Sequence, residues 1–181
     1  MNKKFPLLIL MMMFSARLFA QDLFSAVEEN DIAGIKYLIG NGAQVNVKNF
    51  HGDTPLLIAV RNGEERATDF LVEKDAKINV KDRQGNTPLI LAGINGDNKA
   101  IAILIEHGAD LNTKNKKGVT ALMAAIVSGD IESAKALLDA GADGTIKDSK
   151  NKTAYDYAAQ SKNTEMLTLF VTSAIGTVTE I

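Results

Sequence analysis

The stretch GNTPL at residues 85–89 decides the fold, because close copies of it stand at the same distance along the chain on both sides. The earlier copy is GDTPL at residues 52–56, and the later copy is GVTAL at residues 118–122. A threonine hydroxyl before proline caps a helix, and proline at the first helical position gives up an amide that has no partner there. The pattern therefore predicts helices that begin at equal intervals along the chain.

Two more columns keep this interval over five copies. One holds alanine throughout, and the other holds leucine and, at the last copy, phenylalanine. Their members are Ala26, Ala59, Ala92, Ala125 and Ala158, and Leu38, Leu71, Leu104, Leu137 and Phe170. Alanine fits a close approach of two helices, and the leucines belong to an apolar stripe on a second helix. A short helix pair cannot bury its apolar face alone, so the pattern predicts units that stack on their neighbours.

Each unit carries signals for two helices. Asn62-Gly63 and Asn95-Gly96 break the first helix, and His107-Gly108 ends a second one. At these residues the chain resembles the ankyrin-repeat family, whose unit is a β-turn and two helices opening on a T-P-L-H-x-A pattern. The resemblance implies an all-α solenoid of about five helix-turn-helix units joined by β-turn tips. The units lie near residues 21–49, 50–82, 83–115, 116–148 and 149–175.

The first and last units are atypical, as the caps of a solenoid are. Gln21-Asp22 replaces Thr-Pro in the first unit, and Asn151 replaces the turn glycine in the last. From Thr172 onward the chain is rich in β-branched residues, so we expect it to be extended or frayed, with residues 176–181 as a C-terminal tail. The histidine that the family usually has after leucine is replaced by Leu57, Ile90 and Met123.

Residues 1–20 predict a secretory signal peptide. Two lysines precede an uncharged apolar block at residues 5–14, and Ala20 offers a small residue at the cut. A membrane anchor needs about 20 apolar residues, and Arg17 interrupts this run too early. We expect cleavage after Ala20, with Ala16 as a second candidate site. The sequence therefore predicts a periplasmic or secreted bacterial protein without a transmembrane segment in its mature part.

The composition leaves little room for catalysis. The 181 residues are 46% hydrophobic and 23% charged, which is typical of a globular chain. Without cysteine there is no disulfide, no thiolate nucleophile and no lipid-modified cysteine. The two histidines, His51 and His107, belong to a turn tip and to the end of a second helix, so they cannot share a site. We therefore expect no enzyme activity, no catalytic residue, no metal site and no cofactor.

The β-turn tips carry concentrated positive charge. They lie at residues 48–53, 81–86, 114–119 and 147–152, and they hold nine basic and three acidic side chains. One lysine occupies the same place in each tip, and stacking would align the four in a row, here called the lysine ladder: Lys48, Lys81, Lys114 and Lys147. Such a row attracts an acidic surface and raises association rates. The alternative is that the lysines only solubilise exposed turns.

The family resemblance implies a binding surface made of the tips and the exposed side of the first helices. We expect an acidic protein partner there. Phe50 is the best candidate for an aromatic anchor, the alternative being that it packs over the neighbouring tip. The predicted contact residues are Lys48, Phe50, His51, Arg61, Asn62, Lys81, Arg83, Gln84, Ile94, Asn95, Lys114, Lys116, Lys117, Val127, Ser128, Lys147, Lys150 and Lys152.

Two functional hypotheses follow for a monomeric binding protein. The first is an accessory or scaffolding factor that supports an envelope protein or enzyme. The second is an inhibitor or immunity-type protein that blocks an acidic enzyme or toxin surface. A structural protein without a stable partner is a third hypothesis. Anionic lipid or lipopolysaccharide would attract the same ladder, whereas the tips lack the interleaved aromatic residues of nucleic-acid sites, so we expect no nucleic acid.

Overall fold

The computed structural model describes residues 23–176, with side chains through Val171. The predicted signal peptide, its cleavage site and residues 177–181 lie outside this part of the chain. Within it the backbone forms ten helices in five pairs and no strand. The prediction of an all-α repeat solenoid is therefore confirmed.

In each pair a short first helix is followed closely by a second helix. The first helices are α1 (residues 23–28), α3 (Pro55–Asn62), α5 (Pro88–Asn95), α7 (Ala121–Ser128) and α9 (Ala154–Ser161). The second helices are α2 (Ile32–Gly40), α4 (Glu65–Glu73), α6 (Asn98–Glu106), α8 (Ile131–Asp139) and α10 (Thr164–Gly176). First helices pack on first helices and second on second, as α5 on α7 and α6 on α8 illustrate. Stacking thus makes spatial neighbours of residues that hold equivalent places in successive units.

Threonine begins four of the first helices, as the sequence predicts. The N-caps are Thr54, Thr87, Thr120 and Thr153. Each side chain accepts a backbone N–H three residues on, for example Thr54 Oγ1 from Leu57 at 3.4 Å. Aspartate caps three second helices in the same way, whereas Glu64 precedes α4 without a side-chain cap. The helix ends are therefore fixed by local side-chain bonds in nearly every unit.

The repeated columns form the core. Every member of the alanine column is buried, four of them completely. Leu57, Ile90 and Met123 are at most 1% exposed, so apolar side chains are buried at the positions where the family usually has histidine. Burying one such side chain contributes roughly 1.5–3 kcal/mol. The core is thus continuous from one unit to the next, which no single helix pair could achieve.

A column of asparagines also joins neighbouring units. The Oδ1 atoms of Asn46, Asn79 and Asn112 accept the backbone N–H groups of Lys77, Asp110 and Asp143, at 2.7, 2.9 and 2.8 Å in that order. Each of these bonds crosses from one unit to the next, so it fixes the register of the stack. The column has the same period as the others but was not among those predicted.

The end of the described chain differs from its prediction. We expected an extended or frayed segment from Thr172, but α10 continues through Gly176. This helix begins at Thr164 and packs on α8 and α9. Extending an existing helix costs much less than nucleating one, and intrinsic propensity is a weak preference that such a context overrides.

Candidate functional site

Each turn tip is held together by one side-chain oxygen. Asn49, Asp82, Asn115 and Asp148 follow the ladder lysines directly and keep the period of the repeat. In every case Oδ1 accepts the backbone N–H groups two and four residues on, at 2.8–3.0 Å. The four tips therefore share one local shape, and they differ in the side chains that they present.

The acidic side chains of the tips are buried, whereas the basic ones are exposed. Asp53, Asp82 and Asp148 are only 8–9% exposed, and each accepts hydrogen bonds inside the protein. Of the nine tip cations, all except the half-buried Lys152 are exposed. The tips thus present more positive charge to the solvent than their composition alone indicates.

The ladder lysines reach along the stack. Nζ of Lys81 donates to the carbonyl oxygen of Lys114 at 3.2 Å, and Nζ of Lys114 donates to that of Lys147 at 2.9 Å. Each of these ammonium groups therefore lies beside the equivalent residue of the next unit. The ladder lysines form no ion pair within residues 23–171. The predicted row is present for these three residues, and its role in binding stays a prediction.

Neighbouring tips are joined in two different ways. Backbone bonds join the later tips: Lys116 N–H donates to Gln84 at 3.0 Å, and Ser149 N–H donates to Lys117 at 3.0 Å. Between the second and third units a side chain makes the link, because Arg83 Nη2 donates to the carbonyl oxygen of Phe50 at 2.7 Å. The tips of units three to five thus form a hydrogen-bonded edge of main chain.

The tip face, meaning the tips and the exposed side of the first helices, begins with an arginine bound to two buried carboxylates. The Arg61 guanidinium donates to Asp53 at 2.8 and 3.0 Å and lies 3.6 Å from Asp82. The bond to Asp53 is the main reason that the pKa of Arg61 is raised. Asn95 donates to the carbonyl oxygens of Val60 and Arg61 at 3.0 and 3.1 Å. At this arginine end, the polar groups are engaged within the protein.

The opposite part of the tip face holds an apolar groove of about 570 Å³. Ile94 and Val127 lie in it, 50% and 66% exposed although both side chains are large and apolar. Val119, Met123 and Ala124 complete its apolar lining. Exposed apolar side chains gathered in one concavity are typical of a surface that a partner covers.

Two polar residues of the groove are bonded to the protein itself. Asn115 holds its tip through Oδ1, and its Nδ2 donates to Asn86 Oδ1 at 2.8 Å. The Ser128 hydroxyl donates to the carbonyl oxygen of Ala125 at 2.8 Å. Their hydrogen-bonding capacity is thus largely used before any ligand arrives.

Tyr157 closes the groove on the side of the last unit. Its hydroxyl donates to Asp148 Oδ2 at 2.6 Å, which lowers the pKa of Asp148 and raises the pKa of Tyr157. Lys117 and Lys150 also line the groove. Their ammonium groups donate no hydrogen bond and form no ion pair to any residue among 23–171, although the attraction of Lys150 adds to the low pKa of Asp148. These two cations are available to a ligand.

Family models match this repeated arrangement. A model of ankyrin repeats in three copies matches residues 23–115, and a model of ankyrin repeats in many copies matches residues 104–158. The chain belongs to the ankyrin-repeat family. Ankyrin repeats are protein–protein interaction modules, so membership implies a protein partner. A comparison with curated proteins finds no match for this chain.

Five of the predicted contact residues line the apolar groove. They are Ile94, Lys117, Val127, Ser128 and Lys150. The ladder residues Lys114 and Lys147 and the exposed Lys116 lie on the two tips that contribute to its lining. Two side chains predicted as contacts, Arg61 and Asn95, instead stabilise the arginine end.

The other predicted residues are more dispersed. Phe50 is 85% exposed on the tip of the second unit, with its ring centroid 4.1 Å from that of His51, so it does not pack over the next tip. Asn62 is exposed at the end of α3, and Gln84 contributes its backbone carbonyl to the link between tips. Nζ of Lys152 donates to Gln160 at 2.8 Å. These residues do not form one site with the groove.

One column explains why the groove exists, and the sequence contains its signal. Ile58, Leu91, Ala124 and Tyr157 occupy equivalent positions in four successive units. The first three are all buried, and the smallest of them, Ala124, lines the groove together with Val127 and Tyr157. A large-to-small change within a repeated apolar column is a cue that predicts a concavity. The concavity was not predicted, because the residues that recur between units do not reveal it and the residue that changes does.

The described residues offer little for other chemistry. Among residues 23–171, no cluster of histidine, aspartate and glutamate could hold a metal ion. His107 caps the end of α6, with Nδ1 2.9 Å from the carbonyl oxygen of Ile103, whereas His51 lies on a tip. No helix in the described part of the chain has the length and apolar character needed to cross a membrane. The absence of enzyme activity stays a prediction.

Proposed function

We propose that this protein binds an acidic surface of another protein through its tip face, as a non-catalytic module of the bacterial cell envelope. The observation that carries the proposal is the segregation of charge on the tips. The three acids there are buried and bonded, while Lys81, Lys114 and Lys147 lie exposed in a row. None of the three forms an ion pair with a carboxylate among the described residues, although Lys147 is attracted to Asp156, so the row presents positive charge that an acidic partner would neutralise.

The ladder is also partly preordered. Lys81 and Lys114 are held against the backbone of the following unit, so they lose less side-chain entropy on binding than free lysines would. Electrostatic steering of this kind acts mainly on the association rate and weakens as salt is added. The expected signature of binding is therefore fast, salt-sensitive association.

The place of action is part of the proposal. A signal peptide at residues 1–20 would deliver the repeat domain to the periplasm or outside the cell, where it would act as an accessory or scaffolding factor. Fractionation of cells carrying the full chain tests this directly. We expect the repeat domain in the periplasmic or secreted fraction, shortened at its N-terminus, and recovery of the uncut chain in the cytoplasm would contradict it.

A charge-reversal experiment tests the ladder. A partner is first identified by cross-linking in the intact envelope, and its affinity is then measured at low and high salt for Lys81→Glu/Lys114→Glu/Lys147→Glu. The matched control is Arg66→Glu/Lys77→Glu/Lys135→Glu, which has the same change in net charge at exposed positions on and after the second helices. Both variants are first compared with the wild type for helix content.

We expect the ladder variant to bind at least tenfold more weakly at low salt and to lose most of its salt dependence, while the control stays within about threefold. Equal losses in both variants would mean that only the net charge matters, and unchanged binding by the ladder variant would end the ladder proposal. The activity of the partner separates the two roles: an enzyme that gains activity indicates an accessory factor, and one that loses activity indicates an inhibitor.

A further inference from the structure

We propose that the apolar groove binds an extended, acidic segment of the partner, with one apolar side chain over Ala124 and carboxylates at Lys117 and Lys150. This inference deepens the proposed function and rests on it, since it assigns a chemical class to what the tip face recognises. Three features of the groove support it: the apolar floor, the hydrogen bonds that its polar side chains already form, and its position along the stack of units.

The floor of the groove requires an apolar occupant. Ala124, itself only 5% exposed, stands where the two preceding units have the larger Ile58 and Leu91, and it lines the groove with its methyl group. Ile94 and Val127 remain half or more exposed beside it. Covering these side chains would release about 25 cal/mol for each Å² of apolar surface removed from water.

The polar groups of the groove favour a negatively charged occupant. Asn115, Ser128 and Tyr157 already donate to acceptors within the protein. The hydroxyl hydrogens of Ser128 and Tyr157 are therefore already used, so a ligand acceptor finds its strongest donors elsewhere in the groove. Lys117 and Lys150 are the exceptions, and an ammonium group is a donor only. The chemistry left for a ligand is an apolar group next to negative charge.

The two borders of the groove define its extent along the stack. On one side, the position equivalent to Val127 is Arg61, which is bound to Asp53 and Asp82. On the other side it is Gln160, whose Oε1 accepts from Lys152. Of these four equivalent positions, only the middle two, Ile94 and Val127, are apolar. The window is therefore specific to units three to five.

The position of the window favours an extended chain over a compact ligand. Its lining runs from α5 through the fourth unit to Lys150 and Tyr157 in the fifth. The ladder residues Lys114 and Lys147 continue the positive charge along the adjacent edge of tips. An extended segment crossing the stack would meet both features, whereas a single small anion would meet one. This charge complementarity commits the proposal to an acidic peptide segment of a protein.

A peptide selection tests the proposal and does not require the partner to be identified first. A random seven-residue phage library is selected on the wild-type chain, and the sequences recovered are counted after depletion on the Ala124→Leu variant. Ala124→Leu restores the leucine that the preceding unit carries at Leu91, so it fills the groove with a residue that the column accepts. Ala102→Leu, on the exposed side of α6, is the control for added apolar surface.

We expect recovered peptides to converge on an apolar residue flanked by aspartate or glutamate, and a synthetic copy to lose at least tenfold in affinity on Ala124→Leu but less than twofold on Ala102→Leu. Lys117→Gln/Lys150→Gln should remove most of the salt dependence of that affinity. Basic or neutral polar peptides, no enrichment, or equal binding by Ala124→Leu would overturn the inference. So would tighter binding of dodecanoate than of any recovered peptide, or groove-dependent self-association in sedimentation.

The outcomes for the groove and for the proposed function are separable. If the partner requires the ladder but binds Ala124→Leu normally, the proposed function stands and the groove inference fails. If neither the ladder reversal nor Ala124→Leu affects the partner, both fail. Thermal unfolding of every variant is measured alongside, and a variant that has lost its fold is replaced by Ala124→Val, which fills less of the same space.

Discussion

The two ends of the tip face are built on the same backbone and have opposite chemistry. Arg61 and Val127 occupy equivalent positions two units apart, yet the first is bound to Asp53 and Asp82 and the second is 66% exposed in an apolar groove. At the arginine end, charge is used to hold the protein together. At the groove end, charged and apolar side chains are exposed to solvent. The comparison teaches that in this solenoid the repeated core columns determine the fold, while positions that vary between units give its two ends different surfaces.

The tips differ between the two ends as well. Backbone bonds connect the tips of units three to five, whereas the Arg83 side chain connects those of units two and three. The closeness of the later tips is evident at Gly118, where an added Cβ would lie 2.8 Å from Asp148 Cα. Around Gly52 an added Cβ would have nothing within 4 Å. The groove end is thus the more tightly packed edge.

The largest loss of unfolding free energy is expected from replacing Gly118, in the tip at residues 114–119, by alanine. Gly118 has a φ of +76°, so Gly118→Ala combines a left-handed alanine with a backbone clash, and we expect a loss of about 3 kcal/mol. Gly52→Ala, with a φ of +85° in open space, should lose only about 1 kcal/mol. Urea unfolding measures both, and equal losses would mean that the two tips are packed alike.

A reciprocal swap of side chains comes next. Arg61→Ile places the residue of the next unit at the arginine end and leaves two buried carboxylates without their guanidinium, so we expect a loss of about 2 kcal/mol. Val127→Arg should change stability by less than about 0.5 kcal/mol, because it adds a charge to an exposed position, while it blocks the groove. Urea unfolding measures the two stabilities.

Lys99→Met is the control for the swap. It removes an ion pair with Glu65 that is well exposed on both sides, so the loss of unfolding free energy should be much smaller than for Arg61→Ile. If Arg61→Ile cost no more than this control, the arginine end would be a surface ion pair and the contrast between the two ends would disappear.

The smallest effect is a change in acid sensitivity at the groove. The Tyr157 hydroxyl, aided by backbone N–H groups, lowers the pKa of Asp148 in the folded protein. Asp148 therefore adds stability at pH values above its unfolded pKa of about 3.9, and this contribution is lost as the pH falls through the lower folded value. Asp148→Asn keeps the acceptor that Asn115 supplies in the preceding tip but cannot titrate.

We expect unfolding free energies of the wild type and Asp148→Asn to differ most near neutral pH and to converge near pH 2. Tyr157→Phe should reduce the same acid-dependent loss, since it removes the donor that holds the pKa of Asp148 down. A difference between wild type and Asp148→Asn that stays constant from pH 7 to pH 2 would contradict this account.

Much of the fold could be predicted because its determinants recur. Thr87, Gly85 and Ala92 each have counterparts one period before and one period after them, and a residue that recurs in register must serve the same local geometry in every unit. The asparagine column that begins at Asn46 was equally periodic, but its bonds cross between units, and one unit considered alone gives no reason for it. The helical conformation of residues 172–176 was missed because extending the existing helix α10 costs little and outweighs the β-branched propensity.

The site was predicted less completely, for a physical reason. Charge is visible in a sequence, so the ladder was found, and its alignment followed from the period. Whether Arg61 faces a ligand or a buried carboxylate depends mainly on its two hydrogen bonds to Asp53, eight residues earlier, and periodicity does not reveal them. The groove is signalled only by a change within a repeated column, from Leu91 to Ala124, and a search for residues that recur does not detect such a change.

Distances along the ladder test the central claim that units stack in register. The chain lacks cysteine, so spin labels can be placed at single introduced cysteines without background. Electron–electron distances are measured from Lys48→Cys to Lys81→Cys, Lys114→Cys and Lys147→Cys in three double variants. We predict narrow distributions whose mean increases in nearly equal steps. A pair 48–147 that is closer than 48–114, or broad distributions for all pairs, would contradict the stacked array on which the ladder and the groove both rest.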